Sequence, residues 1–333
     1  MSDLIPLPPL SVGEVANHYA ARSAFFDYQQ RKAANTLRRQ HDDLTLFATY
    51  LHQAGMHPTP DALMSTPHAW QGITFGLVAG FVRYLLDAGY AIGSVNTRLS
   101  TIKVYCGLAA PSGAIPSDEL TLIKQVRGFR HVEGRNIDEE RPVSRRGSKK
   151  ALPISISWQQ AEQLKRGQPD TPQGRRDAFL MCLLLDHGLR CGEIAALPTS
   201  ALNLQAATLT FYRRKVDKMQ THELTRDTLI AATRYLDACT PELYLLMGSR
   251  KGGQLQGRMQ ERSLTDRVRV LASQIGITGA SAHDGRHAFV TFAIRGGTDL
   301  KSLQDAGGWN SIVMPARYAE SHKIANKGVV LGK

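Results

Sequence analysis

A basic segment without a regular apolar pattern, residues 133–152, divides the sequence into two regions. The part that reads RPVSRRGSKK holds five basic residues, no acidic residue, one proline and one glycine. This composition is typical of a charged linker, which is either simply solvated or lies along phosphate groups. A chain of 333 residues is long enough for two domains, and we expect one on each side of this linker.

The first region, residues 1–132, is helical in pattern after a proline-rich start. In TLRRQHDDLTLFATYLHQAG, apolar residues recur at steps of three and four, and TFGLVAGFVRYLLDAG and SVNTRLSTIKVYCGLA repeat this form. The pattern predicts a compact all-α domain of four or five helices.

The second region, residues 153–333, mixes two periodicities. The stretches ALNLQAATLTFYRRK and KMQTHELT alternate as strands do about a polar turn near residues 216–218, whereas the sequences around them show helical spacing. We therefore expect a mainly α protein of two domains, in which the second is an α+β domain with a small antiparallel sheet.

The charge of the chain favours a polyanionic partner. Lys and Arg number 41 against 29 Asp and Glu, a net charge of +12, and such an excess suggests nucleic acid first. The four cysteines lack CxxC spacing, so neither a zinc site nor a disulfide framework is indicated. Because no secretory signal pattern and no run of about 18 apolar residues is present, we expect a cytoplasmic protein without a membrane partner.

Three blocks of the second region carry side chains that could act on a phosphodiester: HGLRCGEIAAL, AHDGRHAF and AGGWNSIVMPARYAES. Together with the strand-and-turn segment they supply two guanidiniums, an imidazole, an ammonium, an indole and a phenol, which belong to Arg190, Arg286, His283, Lys215, Trp309 and Tyr318. Guanidinium groups bind phosphate bidentately and stay charged. No acidic cluster of the kind that holds Mg²⁺ accompanies them, so we expect fixed cations, no metal and no cofactor.

The order and spacing of these blocks resemble the tyrosine recombinase (phage integrase) family. Its pattern is an arginine in a GLRxxE-like turn, a hairpin lysine, HxxRH, then Gly-His or Gly-Trp, and a tyrosine nine residues later; every slot is filled here. The likeness is close over residues 153–320 and looser before them, and the AGGW and IVM elements look most like Cre-type recombinases. One departure is Gly285, where HxLRH would have leucine, and this predicts weaker packing of that turn.

The resemblance implies that Tyr318 attacks the phosphate and leaves a 3'-phosphotyrosyl bond and a free 5'-hydroxyl. Arg190 and Arg286 would stabilise the charge that develops in the transition state. His283 would accept the tyrosine proton, since a phenol with a pKa of ~10 is scarcely ionised at neutral pH.

The resemblance also implies roles for the remaining site residues. Lys215 would protonate the departing 5'-oxygen; Lys218 competes for this role, and we favour Lys215 because it follows the strand TLTFYRRK directly. Trp309 would bind a phosphate oxygen through its indole N–H or would pack the helix of the nucleophile. Glu193 would orient the basic residues or is an ordinary exposed charge, and His287 would pack or bond behind the second arginine.

The HDGRH segment also has the i, i+4 histidine spacing of the H-E-x-x-H zinc motif. Aspartate replaces the glutamate of that motif, and no third ligand is indicated. We therefore expect no metal at this segment.

The function that the resemblance implies is site-specific recombination of double-stranded DNA without metal or ATP. A homotetramer would bind two paired sites, with the two domains of each subunit clamping one duplex and strands exchanged through a Holliday junction; a need for accessory proteins stays open. Two alternatives remain, a DNA-binding protein of this fold that does not cut and a type IB topoisomerase. The expected DNA contacts lie on helix faces and in the linker, at Arg38, Arg39, Asn96, Arg98, Thr101, Lys103, Arg145, Arg146, Lys149 and Lys150.

Overall fold

The computed structural model of the chain describes residues 12–146, 153–250 and 252–320, except for the side chains of residues 14, 18 and 317–320. The chain forms two compact units, residues 1–151 and 152–333, and each has its own hydrophobic core. The boundary between the units falls inside the segment predicted as the linker.

The first unit is all-α. Within residues 12–146 seven α-helices follow one another: α1 Val12–Gln30, α2 Ala34–Gln53, α3 Pro60–Ser65, α4 Phe75–Asp87, α5 Ile92–Ala109, α6 Ser117–Gln125 and α7 His131–Glu140. The expected number of four or five is therefore too small. The three segments singled out in the sequence correspond to α2, α4 and α5. Helices α3, α6 and α7, with six, nine and ten residues, are too short to show a clear apolar period.

Aromatic rings fill the centre of the first unit. Phe47 and Phe81 pack edge to face with their ring centroids 4.9 Å apart, and Trp70 stacks on Tyr105 at 6.1 Å. Trp70 is fully buried, and its indole N–H donates to the carbonyl of Leu63 at 2.8 Å. The ring therefore brings no unpaired donor into the core.

Helix α7 occupies part of the predicted linker, which is shorter than the sequence pattern indicates. The Glu133 carboxylate caps this helix by accepting from the backbone N–H of Arg130 at 2.7 Å. Gly134 lets the helix lie against α5, because a Cβ at this position would be 2.9 Å from the side chain of Ile92. Packing and capping thus make residues 131–140 helical although their own apolar periodicity is weak.

The second unit contains both helices and strands. Over its described residues the helices are α8 Trp158–Arg166, α9 Pro172–Leu185, α10 Cys191–Ala195, α11 Arg226–Ala238, α12 Glu261–Gln274, α13 Ala282–Arg295, α14 Leu300–Gly307 and α15 Val313–Glu320. The strands are β1 Leu202–Asn203, β2 Thr208–Arg213, β3 Lys218–Glu223, β4 Met247–Ser249 and β5 Leu255–Arg258. The predicted fold class, mainly α with a small antiparallel sheet, is confirmed.

Helix α9 forms the centre of the second core, and every residue from Phe179 to Leu185 is buried. The three-stranded sheet has the order β1-β2-β3 and is antiparallel. Its hairpin pairs Arg213 with Lys218, which leaves residues 214–217 as the turn. Strands β4 and β5 form a separate two-stranded sheet that the sequence pattern does not predict. None of the helices in the described parts of the chain is long and apolar enough to span a membrane.

Candidate active site

The end of helix α9 leads through a glycine turn to Arg190. Gly188 has a left-handed φ of +59°, and a Cβ there would lie 2.4 Å from the ring of Phe289, so only glycine fits this turn without strain. The turn places Arg190 directly before α10 with 25% of its side chain exposed. It also binds the second arginine, because the Arg286 guanidinium donates to the carbonyl of Gly188.

Glu193 is buried and joins two arginines. Its carboxylate accepts from the Arg190 guanidinium at 2.7 Å, from the Arg190 backbone N–H at 2.9 Å and from the Arg213 guanidinium at 2.9 Å. A buried carboxylate needs such partners, and both cations are held in place by it. Glu193 is therefore no exposed helix charge, while its role in the reaction stays a prediction.

Four consecutive backbone carbonyls at the end of helix α14, those of residues 305–308, form what we call the carbonyl row. In order, they accept hydrogen bonds from Gln220 at 2.6 Å, Arg213 at 2.6 Å, Arg286 at 2.5 Å and Arg190 at 3.4 Å. The last carbonyls of a helix lack their full set of partners within it, and the helix dipole makes this end negative. Three guanidiniums and one amide bind here, so the end of α14 brings both predicted catalytic arginines together.

The glycines of the AGGW segment make room for two of the surrounding side chains. A Cβ at Gly307 would lie 1.8 Å from the Trp309 ring, and one at Gly308, whose φ is +59°, would lie 2.3 Å from Cδ of Arg213. The guanidinium of Arg286 lies over the Trp309 ring, 4.5 Å from its centroid. Trp309 therefore contacts the second arginine through its ring face, which is the part of an indole that attracts a cation.

His283 lies at the start of helix α13, beside the two arginines. Asp284 caps this helix, since its carboxylate accepts from the backbone N–H and the hydroxyl of Ser281, both at 2.7 Å. Partial burial and, next, the positive charge of Arg286 lower the pKa of His283 below its usual 6.5. The imidazole is therefore neutral at pH 7 and able to accept a proton.

His287 lies one turn further along α13, and its ring centroid is 4.6 Å from that of His283. Burial lowers the pKa of His287 to about 4, so this second imidazole is also neutral at pH 7.

Across residues 12–146, 153–250 and 252–320, no group of three or more His, Cys, Asp or Glu side chains is placed to hold a metal ion.

The prediction of weak packing at Gly285 is wrong. Gly285 is buried where α13 crosses α9, and an added Cβ would lie 3.3 Å from Cβ of Leu184. The missing side chain lets the two helices approach closely, and this contact fixes the start of the helix that carries His283 and Arg286.

The hairpin of β2 and β3 places the two candidate lysines differently. Lys215 is exposed in the turn, whereas Lys218 opens β3 and pairs with Arg213 across the hairpin. The charge of Lys215 contributes to the lowered pKa of His283, so the ammonium lies within electrostatic reach of the imidazole. This favours Lys215 over Lys218, and the choice stays a prediction.

Tyr318 belongs to helix α15, which begins four residues after Trp309. The backbone of α15 packs against α13 and α14, the helices that carry His283, Arg286 and the carbonyl row. The tyrosine side chain lies outside the described residues, and its role as nucleophile stays a prediction.

Sequence reasoning missed two residues of this site, Arg213 and Gln220, although both bind the carbonyl row. Arg213 has no exposed surface, and its guanidinium donates to the side chains of Glu193 and Gln220. The alternation of buried and exposed residues along β2 could have identified Arg213. Leu209, Phe211 and Arg213 share the buried face of β2, so an arginine stands where the pattern demands a core residue.

Several of the expected DNA contacts in the first unit are engaged within the protein. Arg39 and Arg98 pair with the Asp43 carboxylate, with N···O distances of 2.6 Å and 3.7 Å. Thr101 is 2% exposed, and its hydroxyl donates to Asp43 at 2.8 Å. Thr101 therefore helps to hold the Asp43 carboxylate that pairs with both arginines. Because the residue is buried, the prediction that it contacts DNA directly is wrong.

The side chain of Asn96 is likewise occupied. Its amide donates to the carbonyl of Phe129 at 2.8 Å and accepts from the Phe129 N–H at 2.9 Å, which fixes the loop before α7. The Lys103 ammonium donates to the carbonyl of Lys124 at 2.8 Å, and Arg38 is exposed on α2. As DNA contacts, these three stay predictions.

The described part of the predicted linker belongs to the first unit. Arg145 and Arg146 are exposed, and the Arg146 guanidinium lies 5.6 Å from the ring centroid of Tyr90. Lys149 and Lys150 lie outside the described residues. That these four residues lie along the phosphate groups of DNA stays a prediction.

Comparisons with known proteins point to one family. The sequence model described as "Phage integrase family" matches residues 155–324. A tyrosine recombinase XerD of Neisseria meningitidis serogroup B is 29% identical over 187 residues, which cover 54% of this chain and 63% of that protein. A tyrosine recombinase XerC of Roseiflexus castenholzii is 22% identical over 294 residues, 85% of this chain and 82% of that protein.

Two solved structures share the fold. A lambda integrase dimer bound to a COC' core site has a TM-score of 0.60 and 13% identity, covering 95% of this chain and 97% of that one. The Tn1549 transposon integrase in complex with transposon right end DNA has a TM-score of 0.62 and 12% identity, covering 90% and 94%. The resemblance to Cre-type recombinases in particular stays a prediction. Because the family match covers more than half of the sequence, this chain belongs to the phage integrase family of tyrosine recombinases.

Proposed function

We propose that this chain is a site-specific DNA recombinase that cuts and rejoins strands through a 3'-phosphotyrosyl bond to Tyr318. One observation carries the proposal. The guanidiniums of Arg190 and Arg286, far apart in sequence, donate to adjacent carbonyls at the end of α14, and the next residues lead into the helix of Tyr318. Two fixed cations therefore lie beside the segment that delivers the nucleophile.

The arginines would act on the charge of the phosphoryl group. In the attack, the tyrosine oxygen bonds to phosphorus while the bond from phosphorus to the 5'-oxygen breaks, and negative charge grows on the nonbridging oxygens. The Arg190 guanidinium is held by Glu193 and by the carbonyl of Gly308, and the Arg286 guanidinium lies over the ring of Trp309, so both are oriented before DNA arrives. Such preorganised donors supply stabilisation without a metal ion.

Two proton transfers complete the step. His283, whose pKa is lowered, would take the proton of the tyrosine hydroxyl, and Lys215 would give one to the departing 5'-oxygen. The reverse reaction uses the same groups, with a 5'-hydroxyl as the attacking group. Since the phosphotyrosyl bond preserves the energy of the phosphodiester, rejoining would need no ATP.

We also propose that double-stranded DNA is bound by both units and that four subunits assemble on two paired sites. The net charge of +12 supports an extended phosphate contact. The lambda and Tn1549 integrases, which share this fold, were solved with DNA.

The test is a duplex recombination site with a nick just 3' of the cleavage position, so that the short 5'-hydroxyl fragment diffuses away. The wild-type protein should form a covalent complex that survives denaturation, with EDTA present. Loss of a single transition-state donor commonly costs ~10²-fold or more in rate, so Arg190→Ala and Arg286→Ala should slow trapping by that factor while site binding changes far less.

Arg269→Ala provides the matched control, because Arg269 is an exposed arginine that pairs with Asp266 at 2.8 Å. It should trap DNA at the wild-type rate. Absence of any covalent complex would favour a DNA-binding protein that does not cut. Covalent trapping with relaxation of supercoils but no exchange between two sites would favour a type IB topoisomerase.

A further inference from the structure

The ammonium of Lys215 depends on the hairpin backbone for its position. Lys215 is exposed in the turn at residues 214–217, and among the described residues it has no hydrogen bond or ion pair. A lysine side chain has four rotatable bonds, so a donor that must reach one leaving oxygen requires a fixed starting point. Whatever fixes the hairpin therefore fixes the reach of this lysine.

The base of the turn is held by Arg213, two residues before Lys215. Its guanidinium donates to Glu193 at 2.9 Å, to the carbonyl of Ala306 in the carbonyl row at 2.6 Å and to the side chain of Gln220. These acceptors belong to α10, to the end of α14 and to β3. One buried side chain thus joins the hairpin to α10, which begins directly after Arg190, and to the end of α14, whose carbonyls accept from both catalytic arginines.

The surroundings of Arg213 leave it no alternative position. The residue is 0% exposed, the ring centroid of Phe211 lies 4.8 Å from the guanidinium carbon, and Gly308 lies directly against the side chain. A guanidinium in such a place is stabilised only by keeping its acceptors. The carbonyl row and the hairpin are therefore locked to each other through this residue.

We propose that Arg213 is a positioning residue, which holds the hairpin against the carbonyl row so that Lys215 reaches the departing 5'-oxygen. The inference rests on the proposed recombinase reaction and adds a residue to it. Arg190 depends less on Arg213, because Glu193 bonds to Arg190 directly through both its guanidinium and its backbone N–H. The effect of losing Arg213 should thus appear mainly in protonation of the leaving group.

The experiment compares two nicked substrates that differ in one atom. In one, the bridging 5'-position is oxygen, and its departure needs a proton. In the other, it is sulfur, which leaves as a thiolate without one. Arg213→Met keeps an unbranched chain of similar length but removes the donors. Since a misplacement of about 1 Å can cost ~10²-fold in rate, this variant should cleave the oxygen substrate ~10- to 10²-fold more slowly than wild type.

Cleavage of the sulfur substrate by Arg213→Met should remain within a few-fold of the wild-type rate, and so should DNA affinity. Arg213→Lys keeps the charge but offers one ammonium in place of a fork with several donors, so it should show the same selective loss. The control is Arg176→Met. Arg176 is also 0% exposed, but it bonds to Asp177, Met247 and Ser249, none of which belongs to the site.

Rates are measured in single turnover and divided by the folded fraction of each variant from circular dichroism. Arg176→Met should cleave both substrates at the wild-type rate per folded molecule. The proposal is overturned if Arg213→Met cleaves both substrates as wild type does, if it loses both equally, or if Arg176→Met shows the same selective loss. A wild-type protein that traps neither substrate would instead refute the recombinase function itself.

Discussion

Replacing Gly308 with alanine should disturb both the stability of the second unit and its chemistry. Gly308 has a φ of +59°, which costs an L-residue about 1 kcal/mol or more. In addition, the new Cβ would lie 2.3 Å from Cδ and 2.6 Å from Nε of Arg213. These atoms are in the middle of a buried side chain that is bonded at its far end, so they cannot swing aside, and overpacking of this kind costs about 1–3 kcal/mol.

Gly297→Ala separates the two costs. Gly297 also has a positive φ, +86°, but no atom lies within 4 Å of the Cβ that it would acquire. Both variants therefore carry the backbone strain, and only Gly308→Ala carries the clash. The expected difference between them is about 1–3 kcal/mol, which for a unit of this size corresponds to roughly 2–12 °C in Tm.

Differential scanning calorimetry of the full chain measures the transition of the second unit in both variants. Gly308→Ala should melt lower than Gly297→Ala. It should also cleave nicked DNA more slowly, because a displaced Arg213 no longer holds the hairpin that carries Lys215 against the carbonyl row. Equal Tm values for the two variants would refute the reasoning that Gly308 is required by its contact with Arg213.

Three further predictions concern pH and salt. Burial lowers the pKa of His187 from 6.5 to about 4, so protonation favours the unfolded chain. The contribution of His187 to stability is full above pH 6.5 and is lost as the pH falls towards 4. In His187→Gln, the Tm should therefore decrease less between pH 6.5 and pH 4 than in the wild type. Because the pKa of His283 is also lowered, the cleavage rate at limiting DNA should fall only below pH 6.5, an acid limb that His283→Gln should abolish. If about six phosphates are contacted, the logarithm of DNA affinity should fall with the logarithm of salt concentration with a slope of about -5. Neutralising four linker residues should make this slope shallower by up to ~3; these are Arg145, Arg146, Lys149 and Lys150.

The sequence predicts the site best where one short block holds several of its residues. The blocks around Arg190, His283 and Trp309 keep their order and spacing because each is a single turn or helix end, and helix start signals such as Asp284 after Ser281 are local. The carbonyl row could not be predicted this way. It depends on contacts between α10, α13, α14 and the hairpin, which are distant in sequence. A pattern within one short segment cannot predict such contacts.

The same distinction explains the errors in the fold. The hairpin around Lys215 is visible because both strands have six residues and alternate, whereas β4 and β5 have three and four and show no period. Thr101 lies on the polar side of the α5 pattern, yet its hydroxyl is buried because Asp43 of α2 needs a donor. Such pairings arise from tertiary packing, which can bury a side chain that the pattern of a single helix places on the solvent-exposed face.

The proposed reaction is tested most directly by identifying the residue that becomes linked to DNA. A complex trapped on the nicked site is digested with protease, and the peptide that carries the nucleotide is sequenced by mass spectrometry. The peptide should carry a 3'-phosphate bonded to Tyr318. Tyr318→Phe should form no covalent complex but should still bind the site, because only the hydroxyl is removed. Attachment at another residue, or a covalent complex that persists in Tyr318→Phe, would contradict the proposed reaction.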